Sequence, residues 1–328
     1  MATTVLADRY ELDQRLGSGG MAEVWRGRDL RLGRRVAVKT VRLSDGADVG
    51  LLDQVRREAV ATAALEHPGI VRVYDAGVTE DVAFLVMEYL RGRTLASYIR
   101  DRPLEVAHTV YIGARVAAAL SAAHGAGIVH RDIKPANIVL DGEHVTLVDF
   151  GIAAVEHQTV ASLSAPGTTL GTAEYMAPEQ ARAEPVSRAT DMYAFGCLIT
   201  ATLAGRPPFR AAQPEDLLHR HAYVQPPRLA SQRPDVPGEL DELVWQLLAK
   251  EPDERPSAGE AHTVLARMAG LPTLPDLPDG VLDDRPGAAA YRGKPDDGGA
   301  PRGTPGPDTG PADLSTAAMP AAERCERG

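Results

Sequence analysis

The chain has 328 residues, 44% hydrophobic and 24% charged, which is enough for one bilobal domain or two ordinary ones. Its net charge of −10 argues against a nucleic-acid surface, which needs a basic stripe. Cys197 falls in an apolar helical pattern and Cys325 near a polar end, so no disulfide framework is expected and a reducing compartment is. No stretch looks like the ~20 apolar residues of a bilayer span, and residues 1–8 lack the cationic start and apolar core of a leader. The expectation is a cytoplasmic protein with no membrane span.

In chain order, residues 10–16, 22–28 and 35–41 alternate or run apolar like strands, with a glycine-rich turn between the first two. Residues 51–65 read as a helix in which Leu51, Val55, Glu58, Thr62 and Leu65 step by four and three along one face. Glu58 thus lies on the inward stripe, where a carboxylate needs a cation, and Lys39 on the third strand is the candidate. After His67-Pro68-Gly69, strands are expected over 70–76 and 83–88, completing a five-stranded antiparallel sheet. Helices follow over 106–124, 190–204, 239–248 and 257–268, the second apolar nearly all round and so central and buried. From residue 271 the chain is rich in Pro, Gly, Asp and Ala and is expected to be disordered.

Two blocks carry the chemistry. His130-Arg131-Asp132-Ile133-Lys134-Pro135-Ala136-Asn137 is followed, after one short strand pair, by Asp149-Phe150-Gly151. The blocks bring together a base for a hydroxyl proton, a γ-phosphate contact and two oxygen ligands for magnesium, the parts of a phosphoryl-transfer site. Leu16-Gly17-Ser18-Gly19-Gly20-Met21-Ala22-Glu23-Val24 is a glycine hairpin of the kind whose amides approach phosphates without Cβ clashes. Its glycines lead into a strand and not a helix, which rules out a dinucleotide fingerprint, and no Gly-Lys-Ser/Thr follows, which rules out a Walker P-loop. Lysine occurs only at 39, 134, 250 and 294 in an arginine-rich chain, and two of those positions fall in the proposed site.

With Val36-Ala37-Val38-Lys39 and Ala177-Pro178-Glu179 added, these motifs resemble the bacterial eukaryotic-type serine/threonine protein kinases over residues 9–268. The resemblance implies an α+β, bilobal protein-kinase fold, with a five-stranded N-lobe sheet plus one helix and a mainly helical C-lobe. It also implies ATP as phosphate donor with magnesium, or manganese in its place. Lys39 would bind the α- and β-phosphates and pair with Glu58. Val24, Ala37 and Val139 would sandwich the adenine, under the loop running from Leu16 and Gly17 through Ser18, Gly19, Gly20, Met21, Ala22 and Glu23. Met87 would be the gatekeeper, and Glu88 and Leu90 would offer hinge backbone. Asp132 would be the catalytic base, Lys134 would steady the γ-phosphoryl group, and Asn137 and Asp149 would hold the metal. Ala22 stands where the family has its third loop glycine, a departure that stiffens the loop.

Residues 151–179 read as an activation segment whose middle holds Ser162, Ser164, Thr168 and Thr169 as phosphorylation candidates facing Arg131. By resemblance, Thr172 bonds to the catalytic pair, Glu179 and Arg255 form a buried ion pair, and Asp191 anchors the catalytic loop. The expected organisation is an extension over 1–9, a kinase domain over 10–270 (lobes 10–88 and 91–270) and a tail over 271–328. The expected partners are proteins bearing serine or threonine, and a second copy in trans through a transient homodimer. A pseudokinase scaffold would lack Lys39, Asp132 or Asp149, and all three are present. A kinase-like small-molecule phosphotransferase would lack the complete activation segment.

Overall fold

The computed structural model describes residues 4–19, 22–42, 62–79, 82–150 and 173–270. The small lobe is an antiparallel sheet of β1 (Thr4–Leu6), β2 (Tyr10–Gly19), β3 (Ala22–Asp29), β4 (Arg35–Arg42), β5 (Val73–Val78) and β6 (Val82–Glu88), in spatial order β1-β2-β3-β4-β6-β5. The sheet therefore has six strands, one more than the sequence suggested. Ala7 and Asp8, both at φ 51, turn the chain so that Thr4 pairs with Leu12 and Leu6 with Tyr10. Three residues are too few for an alternation of period two to show. Of the helix expected over 51–65, only Thr62 and Ala63 among its helical residues are described, and Glu58 lies outside the described residues.

Alternation along β4 decides what faces the second lobe. Val36 and Val38 pack with Tyr10, Leu12, Phe84 and Val86 on one side of the sheet. Ala37 packs with Val71, Leu85 and Met87 on the other, where Val148 of the second lobe joins them. Lys39 shares the parity of Ala37 and so stands on the side that meets the large lobe.

The large lobe runs through β7 (Arg93–Thr94), α1 (Leu95–Asp101), α2 (Val106–Gly125), a 3₁₀ turn (Pro135–Asn137), β8 (Ile138–Asp141), β9 (His144–Leu147), α3 (Pro178–Ala181), α4 (Arg188–Ala204), α5 (Pro214–Tyr223), α6 (Gly238–Leu247) and α7 (Ala258–Ala269). Every α4 residue from Thr190 to Leu203 is buried, as its all-round apolar sequence requires. At Gly196 a Cβ would stand 2.9 Å from the Leu247 Cβ, so glycine there lets α4 and α6 pack closely. Ser187 Oγ caps the start of α4 by accepting the Ala189 amide at 3.2 Å, and Gly205 at φ 70 ends the helix. Contrary to the sequence reading, α2 is long and apolar enough to cross a bilayer by length and composition, but most of it is buried against the core of this lobe.

The expected strand over 70–76 begins only at Val73. The stretch before it is claimed by the other lobe: the Val71 amide donates to the Leu147 carbonyl at 3.0 Å, and the Leu147 amide to the Gly69 carbonyl at 2.8 Å. Glu179 and Arg255 form the expected ion pair, bidentate at 2.8 Å for both bonds, with Thr190 Oγ1 donating to Glu179 at 2.7 Å. Burial pushes the Glu179 carboxyl up, but the Arg255 hydrogen bonds and charge outweigh it and hold the group below its ordinary value. Arg255 also donates to the carbonyls of Ala189, Ala249 and Lys250, so every side of the guanidinium is engaged.

Removing one member of a buried pair strands the other. We expect Arg255→Leu to lower the unfolding free energy by ~3–5 kcal/mol in urea titration. Ser257→Ala, at the exposed cap of α7, should cost ~1 kcal/mol. Equal effects of the two would show that the ion pair is no more than a surface contact.

Candidate active site

The site is assembled around one buried carboxylate. Asp191, in the first turn of α4, is wholly buried and accepts three donors: the His130 amide at 2.8 Å, the Arg131 amide at 2.7 Å and His124 Nε2 at 2.8 Å. The loop after α2 is thereby tied to the central helix by its own main chain. His130 then packs at a tilt of 50° against Phe150, with ring centroids 4.6 Å apart, and its Nε2 lies 3.0 Å from the Val148 carbonyl, joining this loop to the segment that leads to Asp149. Arg131 at φ 67 and Asp149 at φ 63 adopt left-handed backbone, a conformation that non-glycine residues hold only where the surroundings enforce it.

Asp132 sits at the centre of that loop. Its Oδ2 is 2.8 Å from Lys134 Nζ and accepts Asn137 Nδ2 at 2.9 Å. The same Nδ2 donates to the Asp132 carbonyl at 2.8 Å, so the amide's donor end is committed, while among the described residues no donor meets its oxygen. The Val148 amide donates to the Asn137 carbonyl at 2.9 Å, bringing the Asn137 and Asp149 segments side by side. Lys39, almost fully buried, places Nζ 3.3 Å from Asp149 Oδ1. The small-lobe lysine and the large-lobe aspartate therefore meet directly, a contact the sequence reading did not foresee.

The nucleotide side is partly described. β2 and β3 pair as Gly17 with Val24, Ser18 with Glu23 and Gly19 with Ala22, so the hairpin leads into a strand as expected. A Cβ on Gly17 would touch nothing within 4 Å, so packing among the described residues does not require glycine there. Gly20 and Met21 lie outside the described residues. Ala37, Leu85, Met87 and Leu90 share one apolar cluster, and Leu16 remains exposed at the end of β2. Val139 is half-buried on β8 between the fully buried Ile138 and Leu140, and lies outside that cluster. The Glu88 amide donates to the Arg72 carbonyl at 2.9 Å, so a base could meet Glu88 only through its carbonyl. Ser162, Ser164, Thr168, Thr169 and Thr172 are outside the described residues. Sequence reasoning also missed His124, although its place at the end of α2 is the signal that could have found it.

The residues present suit the groups that phosphoryl transfer requires. An amide oxygen and a carboxylate are hard oxygen donors of the type magnesium takes, and Lys39 and Lys134 are compact cations suited to phosphate oxygens. Among the described residues no cluster of three or more His, Cys, Asp and Glu is arranged to hold a transition metal.

Comparison with known proteins agrees with this geometry. The protein kinase domain family matches residues 10–265. The serine/threonine-protein kinase PknB of Mycolicibacterium smegmatis is 41% identical over 285 residues, covering 85% of this chain and 45% of that protein. A probable serine/threonine-protein kinase of Streptomyces coelicolor is 39% identical over 302 residues, covering 89% of this chain and 44% of its own. The chain thus spans less than half the length of these curated relatives. Among solved structures, the PknI kinase domain of Mycobacterium tuberculosis superposes with a TM-score of 0.66 at 29% identity, over 83% of this chain and all of that one. The fold, the anchored loop and these likenesses lead to one conclusion: the chain belongs to the protein kinase family, among the bacterial eukaryotic-type serine/threonine kinases.

Proposed function

We propose that this chain transfers the γ-phosphate of ATP to serine and threonine hydroxyls of proteins, including its own activation segment. The observation that carries the reading is the Asp132 carboxylate held between Lys134 Nζ and Asn137 Nδ2 on a loop fastened to α4. Asp132 orients the substrate hydroxyl and accepts its proton as the oxygen attacks phosphorus. Lys134, paired with Asp132, directs its charge at the phosphoryl oxygens that gain negative charge in the transition state. Lys39 is the cation for the α- and β-phosphates, and Glu58 is its proposed partner. Asn137, through its uncommitted oxygen, and Asp149 hold the metal. A magnesium ion held by these two side chains would supply charge neutralisation at the phosphates, easing cleavage of the phosphoanhydride bond to the terminal group.

The apolar cluster of Ala37, Met87 and Leu90, with Leu16 and Val24 on the hairpin strands and Val139 on β8, is the proposed adenine site. The Glu88 carbonyl and the Leu90 main chain would receive the base edge. Most of the acceleration then comes from positioning and charge stabilisation, since a metaphosphate-like transition state leaves little covalent work. The domain is proposed to occupy 10–270. Helix α7 ends in the left-handed Gly270 at φ 57, a stop signal that agrees with this boundary. Protein substrates, a transient second copy in trans and a cytoplasmic place of action complete the proposal.

Asp132→Asn and Lys39→Met should each reduce autophosphorylation with ATP and magnesium by at least ~100-fold while costing less than ~2 kcal/mol of stability. Phosphosite mapping by mass spectrometry is the check, and undiminished phosphate incorporation by either variant would sink the mechanism.

Autophosphorylation is expected within 162–169, at Thr168 and Thr169 first and at Ser164 and Ser162 as alternates. Arg131 is the intended partner. Its Nε is buried and, among the described residues, makes no hydrogen bond, so a phosphate nearby supplies the missing acceptor. If alanine at all four positions leaves substrate phosphorylation unchanged, activation does not run through this segment.

Removing residues 275–328 should leave melting temperature and specific activity on a generic substrate unchanged. A drop of several degrees would move the domain boundary beyond residue 270.

A further inference from the structure

Lys250, on the turn between α6 and α7, has no part in the roles above. Its Nζ donates to the His221 carbonyl at 2.8 Å, and lies 3.4 Å from both the Arg220 carbonyl and the Tyr193 hydroxyl. Three protons thus face three oxygens. Both carbonyls belong to the last turn of α5, where partial negative charge collects, and the Arg220 carbonyl also accepts the Val224 amide at 3.0 Å. The same ammonium stands 4.8 Å from the Phe209 ring centroid and 5.5 Å from that of Tyr193, within cation–π range. The Lys250 carbonyl in turn accepts Arg255 Nη2 at 3.1 Å, so the turn that carries the lysine is fixed to the Glu179 ion pair.

From α5 the contacts continue to the end of the activation segment. Phe209 and Leu217 enclose Ala173 in a small apolar cluster separate from the main core. Phe209 also meets the buried His221 ring edge-on at 5.2 Å, and His221 Nδ1 lies 3.1 Å from the Tyr193 hydroxyl. Burial pushes the His221 imidazole well below its ordinary value, with the Lys250 charge acting the same way and the Glu174 backbone opposing it. We propose that Lys250 is a positioning residue for the protein substrate, clamping α5 and Phe209 so that the stretch beginning at Ala173 holds the shape against which the substrate docks. This rests on the kinase reading above.

The clamp is held at a cost to stability. Burial pushes the Lys250 ammonium well below its ordinary value, to about 8. Arg255 and Arg182 push the same way, while Cys197 opposes them. Because the folded value lies below the unfolded one, the protein gains stability as pH rises from about 8 to the usual lysine range. A charge kept against that gradient argues for a use beyond folding. The titratable and charged groups around it are Tyr193 and Cys197 from α4, His221 from α5, and Arg255 and Arg182. Above about pH 8 the neutral amine still donates, but loses its charge attraction for the helix end and the rings.

The test is steady-state kinetics of the full chain with ATP, magnesium and dephosphorylated casein. Lys250→Met should raise KM for casein ~10-fold, leave kcat and KM for ATP within ~2-fold, and leave the melting temperature equal or higher. In the wild type, KM for casein should climb between about pH 7 and 9, and in Lys250→Met it should be flat over the same range. An unchanged KM in the variant, or a loss confined to kcat, overturns the proposal. Should the variant fail to fold, the wild-type profile decides: a rise in KM across pH 8 supports the clamp and a flat profile overturns it. A wild type that transfers no phosphate identifies the kinase reading itself as the fault.

Discussion

The geometry of the site depends on the burial of Asp191. A carboxylate with no exposure is tolerable only if donors surround it, and the donors here are two main-chain amides of the catalytic loop and one imidazole. Leaving such a carboxylate unpartnered would cost several kcal/mol, so the loop has little freedom to detach while α4 is intact. The left-handed Arg131, itself a strain of ~1–3 kcal/mol, is stable because its amide is one of those donors. The rigidity of a wholly buried helix is thereby transmitted to the loop that carries Asp132, the proposed proton acceptor.

Both lysines of the site are paired with carboxylates. Lys134 rests on Asp132 and Lys39 on Asp149, each ammonium against the carboxylate beside which it would act. Such pairing keeps charges oriented at modest reorganisation cost, since a phosphate oxygen replaces a carboxylate oxygen in the same direction. It also explains why these positions hold lysine in a chain that otherwise prefers arginine. A guanidinium fork would grip one carboxylate bidentately and exchange it less readily.

Much of this was legible in the sequence because chemistry constrains residue type and spacing together. Asp132, Lys134, Asn137 and Asp149 were singled out by the resemblance of their motifs, and the first three do meet in one loop, while α4 was read from apolar residues on every face. Elements with little apolar content to bury were not legible. β1 has three residues, and α5 buries only Leu217, His221 and Ala222. The start of β5 was misplaced because an amide claimed by a strand of the other lobe leaves no mark on local alternation. The contact between Lys39 and Asp149 joins residues 110 apart in sequence, which no local pattern encodes. Lys250 did carry a signal, being a lysine outside the site in a chain that has only four, but its meaning required the helix end it faces.

The bonds between Gly69, Val71 and Leu147 have a mechanical consequence. One strand of small-lobe chain is laid onto β9 of the large lobe, and its neighbour Arg72 is bonded to Glu88, where the chain makes its other described crossing. Two crossings fastened to one another form a pivot line and not a flexible tether. Any rotation of one lobe against the other about that line would load backbone hydrogen bonds, whose formation is indifferent to side-chain identity. Side-chain substitutions along this line would therefore leave the joint's hydrogen bonding in place.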